Sequence, residues 1–265
     1  MTLKTLSAIC SITVLLISCG PNVYMPALYH QDITYQPKPS SFDSVKTANY
    51  ISGSYSLYSN SNLDDQLESG QINLGRGHIY EHFNLAYGAF AAFGDYTNLA
   101  INPGKPGYFK DKFFGAVGGR VSGNLLASDD GNDYRYLGFE AAYSHEFGAF
   151  ANFRQYLKSQ PGYYVDPRAD LFTVGLTTEI LIQSQKHKKL QQGFRLFEGT
   201  TLGYNNLTNS FYNNKNISKQ LAPEIFETGN YKFFSRASYF IKIGNYFGTA
   251  EYYVNGLSIR FGHKF

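Results

Sequence analysis

The sequence predicts an all-β fold, an antiparallel up-and-down barrel of about ten strands, with about eight as the alternative. Three observations support this prediction. Apolar and polar residues alternate over strand-length stretches between residues 46 and 265. Asn-Gly and Gly-Asn pairs, which are typical of two-residue hairpin turns, separate the last three stretches. Tyr and Phe number 23 and 22, whereas charged residues make up only 16% of the chain, fewer than in most soluble domains.

The first residues have the order of an export signal. Lys4 precedes an apolar stretch that ends in Leu16-Ile17-Ser18-Cys19. This ending resembles the lipobox of bacterial lipoproteins, in which the cysteine becomes the lipidated first residue of the mature chain. The resemblance implies that residues 1–18 are a cleaved signal peptide and that Cys19 carries fatty acids such as palmitate. An ordinary secretory signal with an incidental Cys19 is the alternative.

A proline-containing polar segment follows the signal. Such composition favours an extended chain without a core of its own. We therefore expect a lipidated, extended tether at 19–45 and a single barrel domain at 46–265. The prolines of the tether are Pro21, Pro26, Pro37 and Pro39.

The two C-terminal hairpins predict a register. A two-residue turn at Gly244-Asn245 places Arg236 diagonal to Glu251, and a second turn at Asn255-Gly256 places Glu251 directly opposite Arg260. Both hairpins then have one apolar face, and the charged residues share the other face. We expect Glu251, Arg236 and Arg260 to form ion pairs in the lumen of the barrel.

Seven further strands are predicted upstream. A three-residue turn at Glu146–Gly148 would join two of them and place Glu140 opposite Arg154, as another lumenal pair. The seventh strand leaves either Arg195 or Glu198 on the apolar face. The seven predicted strands lie near 46–59, 79–93, 113–126, 134–145, 149–158, 170–182 and 193–204.

A soluble β-sandwich would show the same alternation, so other features must favour a membrane barrel. The predicted strands have about the nine to eleven residues that a tilted transmembrane strand needs. No run of eighteen apolar residues follows residue 20, which argues against a membrane-spanning helix. An even number of strands returns both termini to one side and places the long segment 205–229 on the other, although the long segment 94–111 does not fit this order.

The last strand carries a family resemblance. Leu257, Ile259, Phe261 and the final Phe265 lie at alternate positions and resemble the C-terminal signature of Gram-negative outer-membrane β-barrels. Together with the lipobox, they make the chain similar to small outer-membrane barrels of the Bacteroidota type. The resemblance implies that Phe261 and Phe265 are read by the barrel-assembly machinery.

The resemblance also implies a location in the bacterial outer membrane. Acidic residues after the lipidated cysteine, which favour export to the cell surface in such bacteria, do not occur in Gly20–Pro26. We therefore expect the Cys19 lipid on the periplasmic side. The expected partners are outer-membrane lipids, the barrel-assembly machinery and other envelope proteins.

These features predict a non-enzymatic barrel with a structural or interaction role and a lumen filled by side chains. A narrow porin-like channel or small-ligand transporter is the second hypothesis. A lipid hydrolase using His82 beside Ser122 is the third, although no acid is placed to orient the histidine. The net charge of +3 is too small and too scattered for nucleic-acid binding. No motif indicates a metal or a cofactor.

Overall fold

The computed structural model describes residues 23–60, 65–98, 103–129, 131–160, 163–203, 208–209, 233–253 and 256–265. Within these ranges ten antiparallel strands form one closed barrel. Each barrel strand pairs with the next along the chain, and the last pairs with the first. In the described part of the chain, no helix has the length and apolar character needed to span a membrane.

The prediction of a closed antiparallel barrel is confirmed. Its strands contain between 8 and 21 residues. In chain order they are β1 (Thr47–Asn60), β2 (Asp65–Ile79), β3 (Phe83–Asn98), β4 (Phe109–Asp129), β5 (Asn132–Phe147), β6 (Asp170–Gln183), β7 (Leu190–Thr201), β8 (Phe234–Ile243), β9 (Tyr246–Tyr253) and β10 (Gly256–Lys264).

The barrel is apolar outside and ionic inside. In β6, Phe172 and Leu176 are exposed, whereas Thr173 and Glu179 are buried. The same alternation along the other strands follows from the period of two, because successive side chains point to opposite sides of the wall. The wall therefore has the polarity that lipid contact requires and a soluble domain lacks.

The connections between strands differ at the two ends of the barrel. At the short-turn end, the connections are 80–82, 130–131, 184–189 and 244–245, and β1 begins and β10 ends there. We call the other end the long-loop end. Its connections are 99–108, 148–169 and 202–233, together with the shorter connections 61–64 and 254–255. The helix α1 (Ala149–Leu157) belongs to the connection 148–169.

The predicted count of ten strands is correct because two errors cancel. The segment 149–158 was expected to be a strand and is helical, because Phe150, Phe153 and Leu157 recur at helical spacing on one buried face. The alternation pattern does not predict strand β2, because Ile72 and Leu74 are the only large aliphatic residues on its outer face. Once β2 is counted, the connection after β3 falls at the long-loop end, which explains its length.

Register is as predicted in one C-terminal hairpin and shifted in the other. Strands β8 and β9 pair through the expected turn at Gly244-Asn245. In the hairpin of β9 and β10, Glu251 lies opposite Ser258 rather than Arg260, a shift of two residues. The shift keeps every side chain on its predicted face because the period of a strand is two. Strand β10 also pairs with β1, where Ser56 Oγ donates to Ser258 Oγ at 2.8 Å, so turn preference alone does not set its position.

The N-terminal segment corrects the prediction of an extended tether. Residues 24–43, which we call the lumen segment, run through the interior of the barrel. Tyr24, Asp32 and Tyr35 are almost fully buried. Proline-rich polar composition favours an extended chain. It does not distinguish a solvated tether from a segment whose polar groups are paired with a polar wall.

Candidate functional site in the barrel lumen

The inward-facing charges of the wall meet the lumen segment in successive layers. Charged groups remain in an interior only when they are paired or hydrogen-bonded, since an unpaired buried charge is very costly. The wall supplies most of the ionic side chains, and the lumen segment supplies mainly backbone groups. The site therefore holds a peptide segment inside a ring of arginines and carboxylates.

The first layer lies at the long-loop end. The Ala27 backbone N–H donates to Glu146 Oε2 at 2.6 Å, and Arg154 of α1 donates to Glu146 Oε1. Arg154 also donates to the backbone carbonyls of Asp166 and Arg168 at 3.1 and 2.8 Å. The predicted pair of Arg154 with Glu140 is therefore wrong, because Arg154 lies on a helix and not on a strand opposite β5.

An aromatic cluster closes this layer. The ring of Tyr24 packs against Phe109, Phe153 and Tyr163, with ring centroids 5.9–6.3 Å apart. Its hydroxyl donates to the carbonyl of Gly107 at 3.1 Å. Buried aromatic pairs of this kind add about 0.5–1.5 kcal/mol beyond the burial of area. The start of the lumen segment is thus held by the loops of the long-loop end.

The central layer brings together three predicted residues. Glu251 Oε2 lies 3.5 Å from Arg236 Nη1, and Glu251 Oε1 lies 3.5 Å from Arg260 Nη2. The Tyr35 backbone N–H lies 3.2 Å from both oxygens of the carboxylate. The sequence predicts the membership of this cluster, although the direct opposition of Glu251 and Arg260 is corrected to a diagonal.

The two arginines of this layer also hold the lumen segment. Arg260 donates to the Tyr35 carbonyl and to Thr34 Oγ1. Arg236 Nη2 donates to the His30 carbonyl at 2.9 Å. Because the same guanidinium groups serve the wall carboxylate and the peptide, removing the carboxylate leaves buried charge unpaired, and removing the peptide leaves buried N–H donors without acceptors.

Glu140 finds a different partner from the predicted one. Arg195 donates to its two carboxylate oxygens at 2.8 and 2.6 Å, the bidentate arrangement that suits a guanidinium group. Arg195 points inward and Glu198 outward, which answers the question that the seventh strand left open. The outward Glu198 carboxylate accepts a hydrogen bond from Ser235.

A further cluster, with no predicted pairing, surrounds Glu179. Arg135 Nη1 lies 2.8 Å from Glu179 Oε2, and the Tyr35 hydroxyl donates to Glu179 Oε1 at 2.6 Å. Lys38 Nζ lies 3.9 Å from Glu179 and donates to Ser122 Oγ at 2.7 Å. Alternation along the strand indicates that Glu179 faces inward. Arg135 lies directly opposite it on the neighbouring strand β5, whereas Tyr35 and Lys38 come from the lumen segment and leave no trace in strand spacing.

The last layer lies at the short-turn end and is centred on Asp43. Lys242 Nζ lies 2.8 Å from both of its carboxylate oxygens, and Lys264 Nζ lies 3.2 Å from one of them. Gln191 Nε2 donates to Asp43 Oδ1 at 2.8 Å. Burial by itself would raise the pKa of Asp43. The hydrogen bond from Lys242 and its positive charge, together with Gln191 and Lys264, outweigh burial and lower the pKa to about 2.

One cavity between the lumen segment and the wall is small. A cavity of about 30 Å³ lies beside Tyr35 and Pro37, against β2 and β3. This volume is enough for a water molecule or two. Within the described residues, the lumen segment therefore fills the pathway that would otherwise run through the interior of the barrel.

The remaining predicted site residues lie outside the lumen. Phe261 and Phe265 are exposed on the outer face, and the Phe265 backbone N–H donates to the Asn49 carbonyl at 3.0 Å. Cys19 lies outside the described residues. Strand β10 thus ends on the outer surface with both aromatic side chains directed away from the lumen.

The residues of the hydrolase hypothesis are not brought together. His82 lies in an exposed turn with its Nε2 3.6 Å from Glu81, whereas Ser122 is buried in the lumen beside Lys38. Another histidine, His145, has its Nδ1 2.9 Å from Asp170 Oδ1 on the outer face.

Comparisons with known proteins identify no family. No family model and no curated protein matches the chain. Among solved structures, the chain is similar to the transport unit of the autotransporter AIDA-I from Escherichia coli, with 10% identity, a TM-score of 0.40 and coverage of 87% of this chain and 93% of that one.

Two further structures give similar values. The COG4313 outer membrane channel from Pseudomonas putida F1 has 8% identity and a TM-score of 0.38 and covers 87% of this chain and 100% of its own. The translocator domain of the autotransporter NalP from Neisseria meningitidis has 9% identity and a TM-score of 0.34, with coverage of 85% and 90%. At these identities and TM-scores, the similarities establish neither a family nor a function.

Proposed function

We propose that the chain is an outer-membrane β-barrel lipoprotein with a structural or interaction role, whose lumen is closed by its own N-terminal segment. The observation that carries the proposal is the lumen segment, held by ion-paired side chains from Glu146 to Asp43. The role is non-enzymatic. The expected partners are outer-membrane lipids, the barrel-assembly machinery and other envelope proteins.

The polarity of the wall supports the membrane location. Burying an exposed Leu or Phe side chain in lipid stabilises it by about 1.5–3 kcal/mol relative to water. Large apolar residues such as Phe139, Leu176 and Leu196 are exposed around the outer surface. In water this surface would form an apolar patch far larger than soluble monomers tolerate.

The energetics of the lumen support a closed state. A hydrogen bond to a charged group contributes about 1.5–3 kcal/mol to stability. Withdrawal of the lumen segment would remove its hydrogen bonds to Glu251, Arg260, Glu179 and Glu146 together. Spontaneous opening of a conducting pathway is therefore expected to be rare.

Single-channel recording in planar bilayers tests this proposal against the channel hypothesis. We expect the unmodified protein to give no steady openings. A double variant, Glu179→Ala with Glu251→Ala, removes two carboxylates that hold the lumen segment and should give irregular openings. Glu198→Ala is the matched control, since Glu198 faces outward, and it should remain silent. Steady openings of the unmodified protein would contradict a closed lumen and favour a channel.

A further inference from the structure

We propose that the chain is threaded through its own barrel, so that the lipidated N-terminus lies in the membrane leaflet at the long-loop end. This inference rests on the proposed function for the membrane location and for the lipid at Cys19. It reverses the sequence-based expectation that the lipid lies on the periplasmic side. Its evidence is the direction in which the lumen segment runs.

The lumen segment starts at the long-loop end. Val23 and Tyr24 pair in parallel with Tyr164 and Val165, which belong to the connection after α1. The hydroxyl of Tyr24 contacts Gly107, in the connection between β3 and β4. Both connections lie at the long-loop end of the barrel.

The segment leaves at the opposite end. Ser41 N–H donates to Asp133 Oδ2 at 2.8 Å, next to the start of β5. Asp43 contacts Lys242 and Lys264, near the ends of β8 and β10. The chain then enters β1 at Thr47, at the short-turn end. The segment therefore crosses the whole lumen once, from the long loops to the short turns.

Chain length prevents Cys19 from returning to the short-turn end. Val23 is four residues after Cys19, and an extended chain spans at most about 3.6 Å per residue, so Cys19 lies within about 14 Å of Val23. Strand β1 has 14 residues. At about 3.3 Å per residue and a tilt of about 40°, the wall is about 35 Å high. The lipid is thus restricted to the leaflet nearer the long-loop end.

In bacterial outer-membrane barrels the longer connections face the outside and the short turns face the periplasm. The long-loop leaflet is therefore the external one.

Thiol labelling on intact cells tests the threading. The variant Asn22→Cys places a thiol next to the start of the lumen segment. Lys158→Cys, just after α1, marks the long-loop end, and His187→Cys, between β6 and β7, marks the short-turn end. Each variant is treated with a membrane-impermeant maleimide before and after permeabilisation. The unmodified chain gives the background from Cys19.

We expect Asn22→Cys to be labelled on intact cells to the same extent as Lys158→Cys, and His187→Cys to be labelled only after permeabilisation. Labelling of Asn22→Cys that follows His187→Cys would overturn the threading while leaving the membrane location intact. Equal labelling of the two markers on intact cells would instead overturn the proposed membrane location and the lipid placement with it. An epitope inserted after Pro21, detected by antibody on intact cells, should agree with the thiol result.

Discussion

Glu251 offers a quantitative test of the lumenal network. Its carboxylate is fully buried, lies 3.5 Å from both Arg236 and Arg260 and accepts the Tyr35 backbone N–H. The substitution Glu251→Gln keeps the shape and one acceptor oxygen but removes the charge. Two buried guanidinium groups then lose their common counter-charge, which should cost about 3–5 kcal/mol of the free energy of unfolding.

The assay is urea unfolding in detergent micelles, followed by heat-modifiable migration on gels. With a urea dependence of about 2 kcal/mol per molar, the expected loss lowers the unfolding midpoint by about 1.5–2.5 M. Glu198→Gln, on the outer face, is the matched control and should change stability by no more than about 0.5 kcal/mol. If Glu251→Gln unfolds at the same urea concentration as the unmodified protein, the carboxylate does not balance the two arginines and the account of the lumen is wrong.

Two further predictions concern pH and register. The folded-state pKa of Asp43 is about 2, below its ordinary value of 3.8, so its stabilising effect should be complete above about pH 4 and lost as the pH falls through about 2. The stability difference between the unmodified protein and Asp43→Asn, measured by urea unfolding at each pH, should shrink over that window, and a constant difference would contradict the ion pairing. On the outer face, Ala250 and Ile259 are direct cross-strand partners, so cysteines at these two positions should crosslink. Cysteines at Ala250 and Phe261, which a turn at Asn255-Gly256 would place opposite each other, should not crosslink. The reverse result would support the register predicted from the Asn-Gly turn.

The hairpin of β8 and β9 shows what local sequence can determine. Its register follows from a two-residue turn at Gly244-Asn245, where Gly244 adopts a positive φ of 62°. Glycine takes such a φ without steric cost, so the turn and the count from it are encoded by neighbouring residues. The inward direction of Arg236 and Glu251 follows from the same count.

The partners of other buried charges could not be found in this way. Glu140 was expected to face Arg154, but it binds Arg195, which lies two strands away around the barrel. Strand spacing reports neighbours in one hairpin only. Contacts across the lumen depend on barrel diameter and on the lumen segment between the walls, and both arise only when the barrel closes.

The sequence by itself determined the polarity of the wall, because alternation with a period of two fixes which side chains share a face whatever the register. The number of strands agrees only because the missing β2 and the helix α1 compensate each other in the count. Only the tertiary structure decided the fate of residues 24–43. A polar, proline-containing segment has no periodicity to reveal its environment, and its place in the lumen follows from backbone groups pairing with arginines and carboxylates that long loops and distant strands bring together.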